Sequence, residues 1–301
     1  MSPKTVGFIG LGRMGGPMCR NIARRSGLSV LAFDLSDEAT AACVEAGAAA
    51  ASSVAELAAQ ADVIFTSLPA PPQMESVVLG PDGILENARP GTTYFDLTTN
   101  SLSLVRRAAA ALDRKGVVML DSPVSGGPSG AEAGTLSTMV GGPQEAFDTH
   151  LELLTSFAGS PIHLGPLGSG TIAKLVNNLL GLCSVASAAE GLMLGAVAGL
   201  DPRKLDEVIR RSTGDSIAYR ALADRALSGD YTASFALDLS YKDIHLALEL
   251  ADELSVPTPM TAQVHNLMRM ARGLGYGQLD PTAVIRVYET TLQREVRDAA
   301  G

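Results

Sequence analysis

Lys174 and Asn178 stand four residues apart in the stretch GSGTIAKLVNNLLGLC, residues 168–183. That spacing puts both side chains on one face of a helix. The rest of the stretch is apolar, so an ammonium and an amide need a reason to be there. One reading is a lysine that snorkels to water beside a surface amide. The other is a face that looks into a site where a proton moves. A free lysine titrates near ~10.4 and is a poor base at neutral pH. Burial on such a face would bring it toward working pH, which acid/base chemistry at an oxygen requires.

A second constellation opens the chain. The apolar run TVGFI leads into GLGRMG, which sets Gly10, Gly12 and Gly15 in a G-x-G-x-x-G spacing with Leu11, Arg13 and Met14 between them. The first glycine permits a tight turn, the second lets backbone approach a pyrophosphate, and the third packs helix on strand. The helix that follows would offer free N–H groups and its positive end to phosphate. Asp34 closes the next apolar run about 20 residues on, where a carboxylate can accept the ribose hydroxyls. The segment FDLSDE around it is acidic, and no arginine follows to receive a 2′-phosphate. The expected cofactor is therefore NAD rather than NADP.

The third constellation is DSPVSGGPSGAEAGTLSTMVGG, residues 121–142. Its composition reads as loop. Ser125, Gly126 and Gly127 expose a hydroxyl and two unencumbered N–H groups, which suits a carboxylate. An ordinary glycine-rich turn fits the same residues equally well.

The elements that must position these residues fall into two halves. Strands are expected at Thr5–Ile9, Ser29–Phe33, Asp62–Ser67, Thr93–Asp96, Val117–Leu120, Leu136–Val140 and Ile162–Leu164. Helices are expected between them at Pro17–Arg25, Asp37–Ala46, Val54–Gln60, Leu104–Arg114 and Gln144–Phe157. Such alternation predicts an α/β doubly wound parallel sheet. Beyond about residue 165 the strand signal stops. Helices are expected over 170–199, 202–211, 217–227, 238–254, 258–272 and 282–295, with Pro202, Pro257 and Pro259 at the joins. The domains are thus read as 1–165, a dinucleotide-binding unit, and 166–301, an all-helical one.

Composition removes several classes of function. The formal charge is −9 and no run of five basic residues occurs, so neither nucleic acid nor an anionic membrane is an expected partner. The three cysteines, Cys19, Cys43 and Cys183, form no C-x-x-C and encode neither a disulfide framework nor a zinc site. A reducing cytoplasm fits them. The histidines at 150, 163, 245 and 265 show no H-E-x-x-H spacing and read as surface or packing residues, so no metal is expected. Residues 175–200 carry one charge, Glu190, yet two asparagines and that glutamate argue against a bilayer span. A helix so apolar reads as the buried spine of a domain or of a subunit interface. The N-terminal residues run straight into a strand, so no signal peptide is expected.

Taken in order, GFIGLGRMGGPM at 7–18, DSPVSGGPSGAEAGTLSTMVGG at 121–142, GSGTIAKLVNN at 168–178 and YKD at 241–243 resemble the β-hydroxyacid dehydrogenase family, typified by 3-hydroxyisobutyrate dehydrogenase. The resemblance covers nearly the whole chain. It implies an N-terminal Rossmann-type domain, a C-terminal helical domain and a cleft lined by the long first helix of the second. It implies Lys174 as the catalytic acid/base and Asn178 as the residue that holds the substrate or that lysine. Glu190, about 160° round an ideal helix from Lys174, is no partner to it. Ser125, Gly126 and Gly127 match the substrate-binding motif. Leu68 and Pro69 match a cofactor-contacting turn, Thr99 a residue near the nicotinamide ribose, and Lys242, with Asp243 beside it, a lysine reaching toward the cofactor. On the residues alone, Lys242 and Asp243 would read as a solvated helix start.

The activity so implied is NAD-dependent oxidation of a short 3-hydroxy acid, or the reverse, by a homodimer or homotetramer. Reduction of tartronate semialdehyde, succinic semialdehyde or glyoxylate is the alternative within enzymes, and a non-catalytic nucleotide-binding protein the alternative outside them. Lys174 speaks against the last, and also against imine reductases, which share the architecture without that lysine. Members acting on hydroxyisobutyrate often carry a tryptophan where this chain has Ile217, which leaves the substrate open.

Overall fold

Strand and helix alternate through the first half, as the apolar spacing predicts. In the computed structural model, which describes residues 3–299, the strands are β1 (Thr5–Ile9), β2 (Ser29–Phe33), β3 (Ala49–Ala50), β4 (Val63–Thr66), β5 (Thr93–Asp96), β6 (Val118–Asp121), β7 (Val124–Ser125), β8 (Leu136–Gly141) and β9 (Ala158–Gly165). Helices α1 (Gly15–Arg25), α2 (Asp37–Val44), α3 (Val54–Gln60), α4 (Pro71–Leu79), α5 (Ile84–Asn87), α6 (Leu102–Asp113), α7 (Gly127–Ala133) and α8 (Gln144–Thr155) lie between them. Ser36, Ser53 and Ser101 cap α2, α3 and α6, each accepting a backbone N–H three residues on. Such caps contribute about 1 kcal/mol apiece.

Several elements differ from the sequence expectation. Helix α4, absent from the sequence expectation, begins at Pro71 inside a proline-rich stretch; proline in the first turn loses no hydrogen bond that a helix would make. Within the 121–142 stretch the expected strand forms as β8, but the residues before it, which read as loop, form β7 and α7 as well. The two-residue strands β3 and β7 are too short for alternation to reveal.

The sheet runs β3-β2-β1-β4-β5-β6-β8-β7, with β9 beside β8. It is parallel from β3 through β6, as expected, but β8 joins β6 antiparallel. Alternation sorts the strand side chains onto two covered faces. Phe8, Phe65 and Phe95 are in register on β1, β4 and β5 and stack with centroids 5.9 and 5.0 Å apart. They build one core with Met18 and Ile22 of α1 and with Leu154 of α8. The residues between them, Ile9, Ile64 and Tyr94, build the other with α3, α4 and α6. Helices thus cover both faces, the condition under which parallel strands are stable.

Beyond β9 the described chain is helical: α9 (Ser169–Val197), α10 (Pro202–Ile209), α11 (Ile217–Ser228), α12 (Leu237–Glu253), α13 (Pro259–Gly273) and α14 (Ile285–Leu292). A 3-10 turn at Pro281–Val284 replaces the start of the expected last helix, which ends where Gln293 turns left-handed at φ 51°. Two compact units divide inside α9, between Lys174 and Leu175. By length and composition α9 could cross a bilayer. One stripe of it, including Leu182, Val185, Ala189 and Leu192, packs into the core of the helical unit. Along the other, Val176, Leu180, Leu194 and Val197 are 47, 61, 73 and 47% exposed in the single chain.

Candidate active site

The glycine-rich turn is built as its spacing requires. Gly10 ends β1 at φ +88°, a conformation that favours glycine. A Cβ on Gly15 would overlap the Gly10 carbonyl oxygen, so the helix can start this close to the strand only with glycine there. A Cβ on Gly12 would meet nothing within 4 Å, which leaves its backbone open to a ligand. The Asp34 carboxylate turns back onto this loop: Oδ2 accepts the Leu11 N–H at 2.6 Å and Oδ1 the Ser36 N–H at 2.8 Å. A carboxylate has about four acceptor positions. Two remain for hydroxyls, so Asp34 both shapes the loop and keeps capacity for a ribose.

The next two strand ends join the same rim. Leu68 follows β4 and lies against Gly10. Its N–H donates to Thr98 Oγ1 at 3.1 Å, which ties the turn at Leu68–Pro69 to the segment carrying Thr99. Beneath sits a network that the sequence reading missed. Asp96, wholly buried at the end of β5, accepts from Thr66 Oγ1 and Thr98 N at 3.1 Å and from Asn100 Nδ2 at 3.0 Å. Burial pushes its carboxyl above the usual range, while these donors pull the other way. The available signal was an acid ending an apolar strand, with polar side chains two and four residues on. The C-terminal ends of β2, β1, β4 and β5 thus carry Asp34, the glycine turn, Leu68 and Thr99, at the rim where open α/β sheets bind their ligands.

Ser125 ends β7, and Gly126 and Gly127 follow it, exposed, at φ +131° and +66°. Helix α7 beyond them is bolted to α1. Asn21, buried on α1, donates to the carbonyls of Ala131 and Glu132 at 2.8 and 3.3 Å, and Arg20 pairs with Glu132 at 2.7 Å. One helix therefore offers its start to the glycine turn and carries on its flank the segment that begins with the Ser125 loop.

Lys174 is half-buried on the second turn of α9. The start of that helix is held by Asp121, at the end of β6, through the N–H groups of Gly168 and Thr171. Glu190, far along the helix, accepts from Tyr288 instead. In the helical unit Asn178 Nδ2 donates to Asp243 Oδ2 at 2.6 Å, and Lys242 Nζ lies 3.1 Å from Asp243 Oδ1. Asp243 is 1% exposed and sits in the second turn of α12, so the pair is not a solvated helix start. The structure thus joins Asn178 to Lys242 through a carboxylate that the sequence reading noted only in passing.

His150 and His265 are buried and packed against aromatic rings. His150 is buried against the Phe95 ring, with Nε2 3.1 Å from Thr93 Oγ1, and burial lowers its pKa. All three cysteines are free. Among the described residues no group of three metal-ligating side chains occurs.

Comparison with known proteins decides the family. Residues 5–165 match the family described as the NAD-binding domain of 6-phosphogluconate dehydrogenase. Residues 168–288 match that described as the NAD-binding of NADP-dependent 3-hydroxyisobutyrate dehydrogenase. The chain is 42% identical to 2-(hydroxymethyl)glutarate dehydrogenase of Eubacterium barkeri over 94% of each chain. The chain belongs to the β-hydroxyacid dehydrogenase family. The chain is also 36% identical to the NAD-dependent L-serine dehydrogenase of Pseudomonas aeruginosa, over 96% of this chain and 99% of that one. Among solved structures it is similar to Mycobacterium tuberculosis 3-hydroxyisobutyrate dehydrogenase with L-serine, at a TM-score of 0.86 and 32% identity, covering 96% of this chain and 99% of the other. It is accordingly an NAD(P)-binding oxidoreductase of a family that acts on small hydroxy- and keto-acids.

Proposed function

We propose that this enzyme oxidises a short 3-hydroxy acid to its semialdehyde with NAD, or runs the reverse, using Lys174 as the acid/base. The observation that carries the reading is the place of Lys174. It stands on a helix whose start is anchored to the strand end that leads into the Ser125–Gly127 loop. Ser125 and the amides of Gly126 and Gly127 hold the substrate carboxylate. Neutral Lys174 takes the proton of the hydroxyl as oxidation proceeds, and its ammonium returns one in the reductive direction. Bound NAD supplies the hydride acceptor. The resemblance assigns Asn178 to the substrate or the lysine and Lys242 to the cofactor, and Asp243 links the two side chains.

The substrates named for the relatives narrow the class. 2-(Hydroxymethyl)glutarate, L-serine and 3-hydroxyisobutyrate share the skeleton HOCH2–CHR–COO−, a primary alcohol one carbon from the carbon that bears the carboxylate. A site that grips the carboxylate and reacts at the CH2OH carbon leaves R to set specificity. The test is absorbance of NADH formed over a panel of such acids, with the semialdehydes run in reverse. Absence of turnover across the whole panel would overturn the assignment.

Asp34 underlies the cofactor preference. A 2′-phosphate would be placed against a carboxylate, and like charges at that range repel. The enzyme is expected to show a higher kcat/KM with NAD than with NADP, and Asp34→Asn to narrow the gap. Wild-type preference for NADP would contradict this role.

The exposed apolar stripe of α9 supports assembly as a homodimer or homotetramer, because large bare apolar patches are rare on soluble monomers. Light scattering at micromolar concentration should give a mass of at least two chains; a monomer would refute it.

A further inference from the structure

Asp121 does more than end a strand. It is the last residue of β6, 1% exposed, and its two oxygens are divided between two backbone donors at the start of α9. Oδ1 accepts the Gly168 N–H at 2.7 Å and Oδ2 the Thr171 N–H at 2.6 Å. Both belong to the start of α9, where N–H groups have no intrahelical acceptor and the dipole favours an anion. Burial pushes the Asp121 carboxyl above its usual range, and these two donors oppose that shift.

The approach is also sterically set. Gly141 of β8 pairs with Asp121 across the sheet. A Cβ on Gly141 would lie 2.5 Å from Asp121 Oδ1 and 2.8 Å from Ser169 N. A Cβ on Gly170 would overlap Met139 O and lie 2.7 Å from Asp121 O. The start of α9 is therefore pressed backbone to backbone onto β6 and β8. Four residues beyond Asp121 the same chain reaches Ser125. That path is fixed as well: Thr138 Oγ1 donates to Ser122 O at 2.9 Å, and Met139 N to Pro123 O at 3.0 Å. Lys174 follows Thr171 by three residues, less than one turn of continuous helix.

We infer that Asp121 is a positioning residue: through Gly168 and Thr171 it sets where Lys174 stands relative to the Ser125–Gly127 loop. The inference rests on the reading of Lys174 as the acid/base. Its consequence is specific to turnover. Displacing a reacting group by about 1 Å can cost about 10²-fold in rate, while a carboxylate held by a separate loop still binds.

Asp121→Asn is the test, because an amide keeps the shape but offers oxygen to only one of the two N–H donors. The expected result is a kcat lower by about 10²-fold, with KM for the hydroxy acid and affinity for NAD little changed. Asp62→Asn is the control. Asp62 accepts two backbone N–H groups on Oδ2, from Lys4 and Thr5 at 2.8 and 3.1 Å, and pairs through Oδ1 with Arg89 at 2.8 Å, at the other end of the sheet. It should lose stability without losing kcat. Should Asp121→Asn fail to accumulate, Gly170→Ala, which wedges a methyl group under the same turn, takes its place with the same expected split. A kcat that is normal, or that falls no further than in Asp62→Asn, overturns the inference. So does a parallel loss of NAD affinity. Lys174→Ala run alongside separates the two claims: its full activity would refute the role of Lys174, whereas its inactivity with a fully active Asp121→Asn would refute only the positioning role.

Discussion

Lys174→Ala is expected to lower kcat by about 10²–10⁴-fold, the usual contribution of a positioned acid/base. Affinity for NAD should stay near that of the parent, because the groups assigned to the cofactor belong to other elements. Gly10, Gly12 and Gly15 sit at the β1–α1 turn, and Asp34 is held by the N–H groups of Leu11 and Ser36. None depends on the Lys174 side chain for its conformation. Lys174→Arg should fail as well. A guanidinium keeps the positive charge and some of the reach, but it does not release its proton in the working range. The two variants together separate charge from proton transfer. If charge alone were required, arginine would restore turnover. The measurement is kcat for both beside NAD binding by calorimetry. Near-normal turnover in Lys174→Ala would return the lysine to a half-buried residue of an apolar helix.

The parallel half of the fold was legible where its strands, such as β1, β4 and β5, are apolar on both faces and bounded by helical spacing. Phe8, Phe65 and Phe95 on one face, with Ile9, Ile64 and Tyr94 on the other, leave runs that can be nothing but buried strands. The strand β8 was expected, but β7 and the antiparallel pairing were not legible. The glycines and serines before β8 read as loop, and pairing such as Val124 with Thr138 is set by tertiary contact rather than by local pattern. The site shows the same division. Gly10, Gly12, Gly15 and Asp34 could be read because phosphate and ribose demand those residue types at that spacing. Asp96 and Asp121 could not, because each is held in part by donors far off in the chain: the Thr66 hydroxyl for one, the Gly168 and Thr171 N–H groups for the other. A carboxylate in a sequence announces its charge but not its partners. Asp243 stood next to Lys242 in plain view, yet only the fold reveals that it also receives the Asn178 amide.

The second and third glycines of G-x-G-x-x-G should fail in different ways when given a methyl group. Gly15→Ala places its Cβ inside the Gly10 carbonyl oxygen, and the Phe8 ring stands 3.1 Å away on another side. Neither can yield cheaply, since one is backbone and the other is fixed in the stack with Phe65. The variant should lose stability outright, by the 1–3 kcal/mol or so that overpacking a tight interior costs. Gly12→Ala meets nothing within 4 Å, so the apoprotein should fold and melt like the parent. Its cost appears only when NAD arrives, because the new methyl group occupies the space across which the backbone approaches the pyrophosphate. A clash of the same size would then weaken NAD binding by about 5- to 150-fold. Thermal melts with and without NAD, beside calorimetric titration, distinguish the two. Gly15→Ala should melt early in both conditions, and Gly12→Ala should melt normally but gain little from NAD. Unchanged NAD affinity in Gly12→Ala would mean that the pyrophosphate does not cross this turn, and the cofactor assignment built on β1 and α1 would fall with it.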